Sequence, residues 1–373
     1  MSLRITHISA ATTLLEIGNL RLLTDPVFDP PGGKYYFGWG TGSTKLTAPS
    51  VSIESLGSID AVLLSHDHHD DNLDKAGRAF LPKAISQDKH FTQFYAAPQN
   101  LNPALTGAFE GKYRVGAVYR DQWRKVLDNP IKTFAIGADL RLKAPGRKVS
   151  QDAFGLGIMF FNDKVSVVDF STTQIAVSMA YHKSLGNSNT QYLSLGLQGG
   201  LTQRNVTYGS LDFHDEFNGT TGYTLGTGEI LPENNFSFSD LNVGLNYTAQ
   251  VGRDGHIFAG LGMHHVTSPQ MSFYGNTGDG DKLYRKFSAQ LAADIPFDRE
   301  NRVALLPRFL ISSQGPHMEI NTGTNFRIAV GQYGAAALHI GSWVRFVRNA
   351  DAIGHDAVVA LVGFEFNNVL LGL

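Results

Sequence analysis

From about residue 110 onward, apolar residues recur at every second position in segment after segment, and few folds satisfy that pattern. Phe154, Leu156, Ile158 and Phe160 alternate with Gly155, Gly157 and Met159. Ile175, Val177, Met179 and Tyr181 stand opposite Gln174, Ala176, Ser178 and His182. Leu193, Leu195 and Leu197 stand opposite Ser194, Gly196 and Gln198, and Leu241, Val243, Leu245 and Tyr247 opposite Asn242, Gly244, Asn246 and Thr248. The rhythm continues through 287–295, 303–311, 338–346 and 358–366. Each of about a dozen segments runs for roughly ten residues, a length that suits a barrel with lipid outside and water inside. A soluble sandwich also alternates, but its strands are usually about five or six residues long. A solenoid would show a fixed repeat of roughly 20–50 residues, and none is visible. The expectation is a mainly β protein: an antiparallel transmembrane β-barrel of about 12–14 strands. Its closure is left open, because the chain stops inside the apolar run Val369-Leu370-Leu371-Gly372-Leu373, where a further closing hairpin is expected.

Composition agrees with that reading. Forty glycines and 11% aromatic residues accompany only 17% charged residues, a balance that favours β-rich chains. A net charge of −2 excludes a basic nucleic-acid footprint over the whole chain, so no nucleic-acid partner is expected. With no cysteine there are no disulfides, thiolate metal sites or cysteine nucleophiles. No apolar run reaches the length of about 18 residues that a membrane helix needs. The first 25 residues lack the basic and apolar regions of a secretory signal.

The first 80 residues follow a different pattern. Leu3 and Ile5, then Thr13, Leu15 and Ile17, alternate as in paired strands. Leu20–Thr24 is a short apolar run before Asp25-Pro26, residues 27–56 are expected to form a long loop, and Ile59–Leu64 reads as a buried strand. That strand runs into Ser65-His66-Asp67-His68-His69-Asp70-Asp71. A strand end there would deliver two imidazoles, His66 and His68, to one metal, and the Asp70 carboxylate two residues on could reach a second. Together with Asp71, these residues form the candidate metal site, an incomplete one, with zinc or manganese the ions that imidazole and carboxylate suit. No catalytic or cofactor-binding residue is identified in the alternating region. It contains no phosphate-binding loop, nucleophile elbow or dinucleotide fingerprint.

Both parts carry resemblances. Ile59-Asp60-Ala61-Val62-Leu63-Leu64-Ser65-His66-x-His68-x-Asp70, with Leu23-Thr24-Asp25-Pro26 upstream, resembles the opening of a UlaG-like metallo-β-lactamase-fold hydrolase. It departs from that pattern at Asp71, where a final His is usual, and the likeness stops near residue 82. It implies an N-terminal α/β half-domain over residues 1–82 and, as the alternative function, metal-dependent hydrolysis. Farther on, Ala84-x-Ser86 before Gln87 has the form of a signal-peptidase site. Gln87-Asp88-x-x-Phe91-Thr92-Gln93-Phe94, Leu101-Asn102-Pro103-Ala104-x-Thr106-Gly107 and Tyr119-Arg120-Asp121-Gln122-Trp123 resemble the mature start of the PorP/SprF family of Bacteroidetes. That resemblance implies a non-enzymatic outer-membrane β-barrel over residues 87–373, without a cofactor, serving type IX secretion and gliding. The implied partners are the lipid bilayer, the periplasmic secretion ring, lipoproteins and secreted surface cargo. Two styles joined at 82–87 point to a chimeric chain.

Within the alternating region, several side chains carry smaller expectations. Arg120, Arg141 and Arg308 lie on polar faces, where they would line a lumen and pair with carboxylates such as Asp139 and Glu365. Trp123 and Trp343 fit either an interfacial girdle or ordinary strand positions. The histidines, including the pair His264-His265, are expected on surfaces or in loops. Segments 204–239 and 267–284 read as solvent loops, with Asp212, His214, Asp215 and Glu216 a weaker cation candidate.

Overall fold

The computed structural model describes every residue except 1–2, 18–19, 39–40, 58, 60, 64–71, 78–79, 81–87, 89–90, 92, 123, 125–129, 146–150, 166–168, 187–189, 211–213, 229–230, 232, 272, 274–281, 299, 316, 331–335, 349–352, 368 and 373. Near the N-terminus, β1 (Leu3–Ser9) and β2 (Thr12–Ile17) pair, as their alternation predicts, and the apolar run β3 (Leu20–Thr24) extends them into an antiparallel meander. The expected loop instead contains a hairpin, β4 (Lys34–Gly38) with β5 (Thr41–Thr44). Strand β6 (Ala61–Leu63) then joins the meander parallel to β3. Ile8, Leu14, Leu23, Phe28, Leu56, Ile59 and Phe80 form a core of their own beneath this sheet.

Residues from 113 onward build a single antiparallel sheet of 13 strands, each hydrogen-bonded to the next in sequence. These are β7 (Tyr113–Gln122), β8 (Ile131–Lys143), β9 (Ala153–Val165), β10 (Phe170–Leu185), β11 (Gln191–Val206), β12 (Asn235–Val251) and β13 (Gly255–His264). They continue as β14 (Lys286–Pro296), β15 (Val303–Gln314), β16 (His317–Val330), β17 (Ala336–Arg348), β18 (Ile353–Phe366) and β19 (Val369–Gly372). One uninterrupted meander excludes both the two-sheet sandwich and the solenoid. The order ends at β7 and β19, which are not paired with each other among the described residues, so the sheet is not closed by hydrogen bonds.

The period-two pattern fixes which way each side chain faces. On β10, Ile175, Val177, Met179 and Tyr181 are exposed, while Ala176, Ser178, Ala180 and His182 between them are buried. Leu156, Ile158, Leu195, Leu197, Leu245 and Leu261 extend the apolar outer belt across neighbouring strands. Strands β10, β11 and β12 have 16, 16 and 17 residues, more than the roughly 9–11 that cross a bilayer. At their far ends, outward positions become polar, with Ser171, Thr173, Gln203, Ser237 and Ser239. On that rim lie the two longest connections of the sheet, 207–234 between β11 and β12 and 265–285 between β13 and β14, beside short ones such as 166–169, while 186–190 and 252–254 at the opposite end are short.

Candidate functional site

The protein's own chain packs against the inner face of the sheet. Of residues 88–107, the described ones (88, 91 and 93–107) lie along it, from residue 94 as short turns. Phe94–Ala96 is a single 3-10 turn, α1 (Pro98–Leu101) one helical turn, and Pro103–Leu105 another 3-10 turn. Each proline opens its turn, where its missing N–H costs no hydrogen bond. Asn102 caps the second 3-10 turn by accepting from Ala104 N at 2.9 Å. The same amide donates to the carbonyls of Leu245 at 3.1 Å and Leu261 at 3.2 Å, joining the segment to β12 and β13.

Glycines on the inner face make this approach possible. A Cβ at Gly196 would lie 2.5 Å from Ala104 Cα and closer still to the peptide before it. At Gly155 it would collide with the Thr106 carbonyl, and at Gly244 it would stand where Asn102 Oδ1 sits. Only a residue without a side chain lets the two backbones come this close.

Three sets of contacts fix the segment along its length. At its start, His265 lies between two carboxylates, with Nε2 2.8 Å from Asp88 Oδ2 and Nδ1 2.7 Å from Asp240 Oδ2. Lys286 Nζ is 3.6 Å from Asp88, and the Asp88 N–H donates to Gln314 Oε1 at 2.7 Å. Burial alone would lower the His265 pKa, but Asp88 and Asp240 outweigh it and raise the value to about 9, so both ring nitrogens donate. Burial likewise opposes ionisation of Asp88, yet the charges of His265 and Lys286 hold its carboxyl well below the usual range.

Midway, aromatic packing takes over. Phe94 meets the Trp343 ring edge-on at 5.6 Å, and Tyr95 stacks on it at 5.4 Å. The Arg308 guanidinium sits 4.3 Å above the other partner, the Tyr95 ring. Asn325 accepts from Trp343 Nε1 at 3.0 Å and donates to the Tyr95 hydroxyl at 3.2 Å. Toward the end of the segment, Gln99 Nε2 donates to Ala138 O at 3.1 Å, and His182 Nε2 donates to Thr106 O at 2.9 Å. Asp139 accepts from Gly107 N at 2.7 Å and from two nitrogens of Arg114, at 3.0 and 2.6 Å. Arg141 Nη1 donates to Gly107 O at 2.7 Å.

The expected residues fall unevenly on this site. Arg120, Arg141 and Arg308 do face the interior, but their partners differ from the expected ones. Arg120 donates to Thr133, Asp139 pairs with Arg114, and Glu365 binds Arg327 and His339. Trp343 is fully buried inside, so the girdle reading fails for it, and Trp123 lies outside the described residues. The surface reading of the histidines also fails for His182, His264, His265 and His339, all buried. Alternation would turn His265 away from His264, but His265 has a φ of 57° and leaves the strand, which swings its ring inward too. His66, His68, Asp70 and Asp71 lie outside the described residues, and no cluster that could hold a metal occurs among those described. Asp215 is engaged by Thr227 and Gly228 within the 207–234 loop.

The sequence reading missed the luminal segment itself. Its signals were present: inward glycines at 155, 196, 244, 260 and 262, and an Asn-Pro pair flanked by small residues at 102–104.

Fold and site together define a wide antiparallel barrel-like sheet with a polar interior occupied by its own N-terminal approach segment. Residues 84–373 match the family described as type IX secretion system membrane protein PorP/SprF, and the chain belongs to that family. Two solved structures are also similar to it. One is BamA from Haemophilus ducreyi lacking POTRA domains 1-3, at 8% identity and a TM-score of 0.35 over 68% of this chain. The chain spans 60% of the length of that protein. The other is the β domain of the Bordetella autotransporter BrkA, at 13% identity and a TM-score of 0.34, covering 69% of this chain and 98% of that one.

Proposed function

We propose that residues 87–373 form a non-enzymatic barrel of the outer membrane that serves type IX secretion and gliding as a scaffold rather than as an open pore. The observation that carries this reading is the packing of the described part of residues 88–107 against the inner wall, across the space a conduit would need. The outer apolar belt suits lipid, and an exposed surface of that kind would drive aggregation in water. The partners are then reached through the rims: the periplasmic ring and lipoproteins at one end, secreted surface cargo at the other. Membrane fractionation, heat-modifiable gel mobility and bilayer conductance test it together. The expected species needs detergent, shifts on boiling and conducts poorly; a soluble species without a shift overturns the barrel, and a large steady conductance overturns the closed scaffold.

For residues 1–82 a second reading is a partial metallo-β-lactamase-like unit, which makes the whole chain a two-part, chimeric one. It is favoured by the separate core of that region and by β6, which runs alongside β3 just ahead of His66, His68, Asp70 and Asp71. Elemental analysis of the purified chain tests it, and absence of stoichiometric zinc or manganese removes the hydrolase reading. Sequencing reads that pass evenly across codons 78–90 would rule out misassembly as the origin of the junction.

A further inference from the structure

The contacts of the luminal segment are ordered along the barrel axis. Asp88 meets Gln314, His265 and Lys286, which lie at the end of β15, just after β13 and at the start of β14. Those three positions adjoin the connections at 265–285 and 315–316. Phe91 follows, packed with Phe161 and Ala135 in the same half of β9 and β8. Phe94 and Tyr95 reach Trp343 midway along β17. Thr106 then meets His182, and Gly107 meets Asp139 and Arg141, near the ends of β10 and β8 that lead into the connections 186–190 and 144–152. Immediately beyond, β7 begins at Tyr113 at that same end. The two ends of the segment therefore lie at opposite rims of the barrel, Asp88 where the long loops are, with one return toward that rim at Leu101, whose carbonyl accepts from His264 Nε2 at 3.2 Å at the end of β13.

In barrels of the bacterial outer membrane, short turns face the periplasm and long loops face outward. We infer that residues 88–107 thread the lumen from its outer mouth inward, so that the chain ahead of residue 88 is held at the cell surface. The Asp88–His265–Asp240 clamp is then the outer fastening of a through-barrel tether. Arg114, Arg141 and Asp139 form its periplasmic anchor. In a chain left uncut between Ser86 and Gln87, the lumen thus has a display role: it carries a surface-exposed extension instead of passing cargo. This rests on the outer-membrane reading for the side, but not for the direction of threading.

The chain has no native cysteine, so introduced thiols are unambiguous. Purified full chain, shown to be folded by heat-modifiable mobility, is treated with a short thiol cross-linker. The pairs Asp88→Cys with Gln314→Cys and Thr106→Cys with His182→Cys are expected to join. The exchanged pairs, Asp88→Cys with His182→Cys and Thr106→Cys with Gln314→Cys, are expected not to. The Thr106 pair leaves the Asp88 clamp intact and so stands if the first variant folds poorly. Cross-linking in the exchanged pairs overturns the threading. For the side, a membrane-impermeant maleimide is applied to intact cells bearing Leu46→Cys, Thr220→Cys or Asp254→Cys. The expected result is labelling of Leu46→Cys and Thr220→Cys before lysis and of Asp254→Cys only after it. Labelling of Thr220→Cys alone before lysis overturns surface display. Thr220→Cys reacting only after lysis, with the cross-links as expected, instead overturns the outward orientation of the long loops and with it the membrane reading.

Discussion

Replacing Gly196 by alanine tests how closely the luminal segment and the barrel wall depend on each other. The added Cβ would lie 2.5 Å from Ala104 Cα, where ordinary contact begins at 3.4 Å, so backbone must part from backbone by at least about 0.9 Å. Neither side can yield by rotating a side chain, because the nearest atoms all belong to the Pro103–Ala104 backbone. Overpacking of this kind costs about 1–3 kcal/mol. The displacement also pulls on Asn102, whose bonds at 3.1 and 3.2 Å have little length to spare, and each is worth about 1 kcal/mol. With one of those bonds lost, a total of about 2–4 kcal/mol is expected. Gly199→Ala is the matched control, since it lies on the same strand with nothing within 4 Å of its Cβ. Urea unfolding of the refolded protein in detergent, followed by heat-modifiable mobility, measures both variants. In a Trp39→Phe, Trp123→Phe background, which leaves Trp343 as the one tryptophan of the three, fluorescence adds a direct report, because that ring packs on Phe94 and Tyr95 of the segment. Equal stability of the two variants, with the Trp343 signal unchanged, would refute a segment tightly seated on the wall.

The clamp predicts a pH profile. The raised His265 pKa contributes stability in full below its ordinary value of 6.5, and this is lost as pH rises through about 9. The depressed Asp88 pKa contributes above its ordinary 3.8 and is lost only as pH falls well below it. Protease protection of the segment start should therefore be greatest between about pH 4 and 6.5 and decline toward pH 10, and a flat profile would exclude the clamp. His265→Ala leaves Asp88 and Asp240 without the cation between them and should cost about 3–5 kcal/mol, with the slope above pH 7 abolished, as read by urea unfolding at several pH values. Asp139→Asn weakens two charge-assisted bonds from Arg114 and should destabilise by about 1–3 kcal/mol, whereas Arg114→Lys should recover only part of the pairing because it lacks the fork. Tyr95→Ala removes the stacking partner of Trp343 and should cost about 3–5 kcal/mol together with a red-shifted Trp343 emission.

The outer face of the barrel was legible because lipid accepts only apolar side chains there and the strand period is two. Val177, Met179 and Leu195 could hardly face anywhere else, and the pairing of β1 with β2 followed from the same rule. The inner face was legible only as small or polar. Gly155, Gly196 and Gly244 read as spacers in the alternation, although each marks a place where a second backbone passes. Nothing local reveals that passage, since Asn102 finds its partners 143 and 159 residues away. The inward turn of His265 was hidden for a related reason: a single left-handed residue cancels the alternation that would set it opposite His264. The arginines were placed on the correct face because polarity decides the face, while their partners depend on register that the sequence pattern does not fix.

The luminal segment also imposes an order in time. It is synthesised before every strand it touches, yet Tyr95 must wait for Asn325, 230 residues later, and Asp88 for Gln314, 226 residues later. Closing a loop of that length costs about 5 kcal/mol of chain entropy before any contact repays it. The segment cannot be pushed in from the side once the strands have gathered round it, so seating and wrapping form one late, cooperative event. Until then Phe91, Phe94 and Tyr95 lack their burial sites, which makes the nascent chain slow to mature and dependent on whatever shields those rings in the meantime.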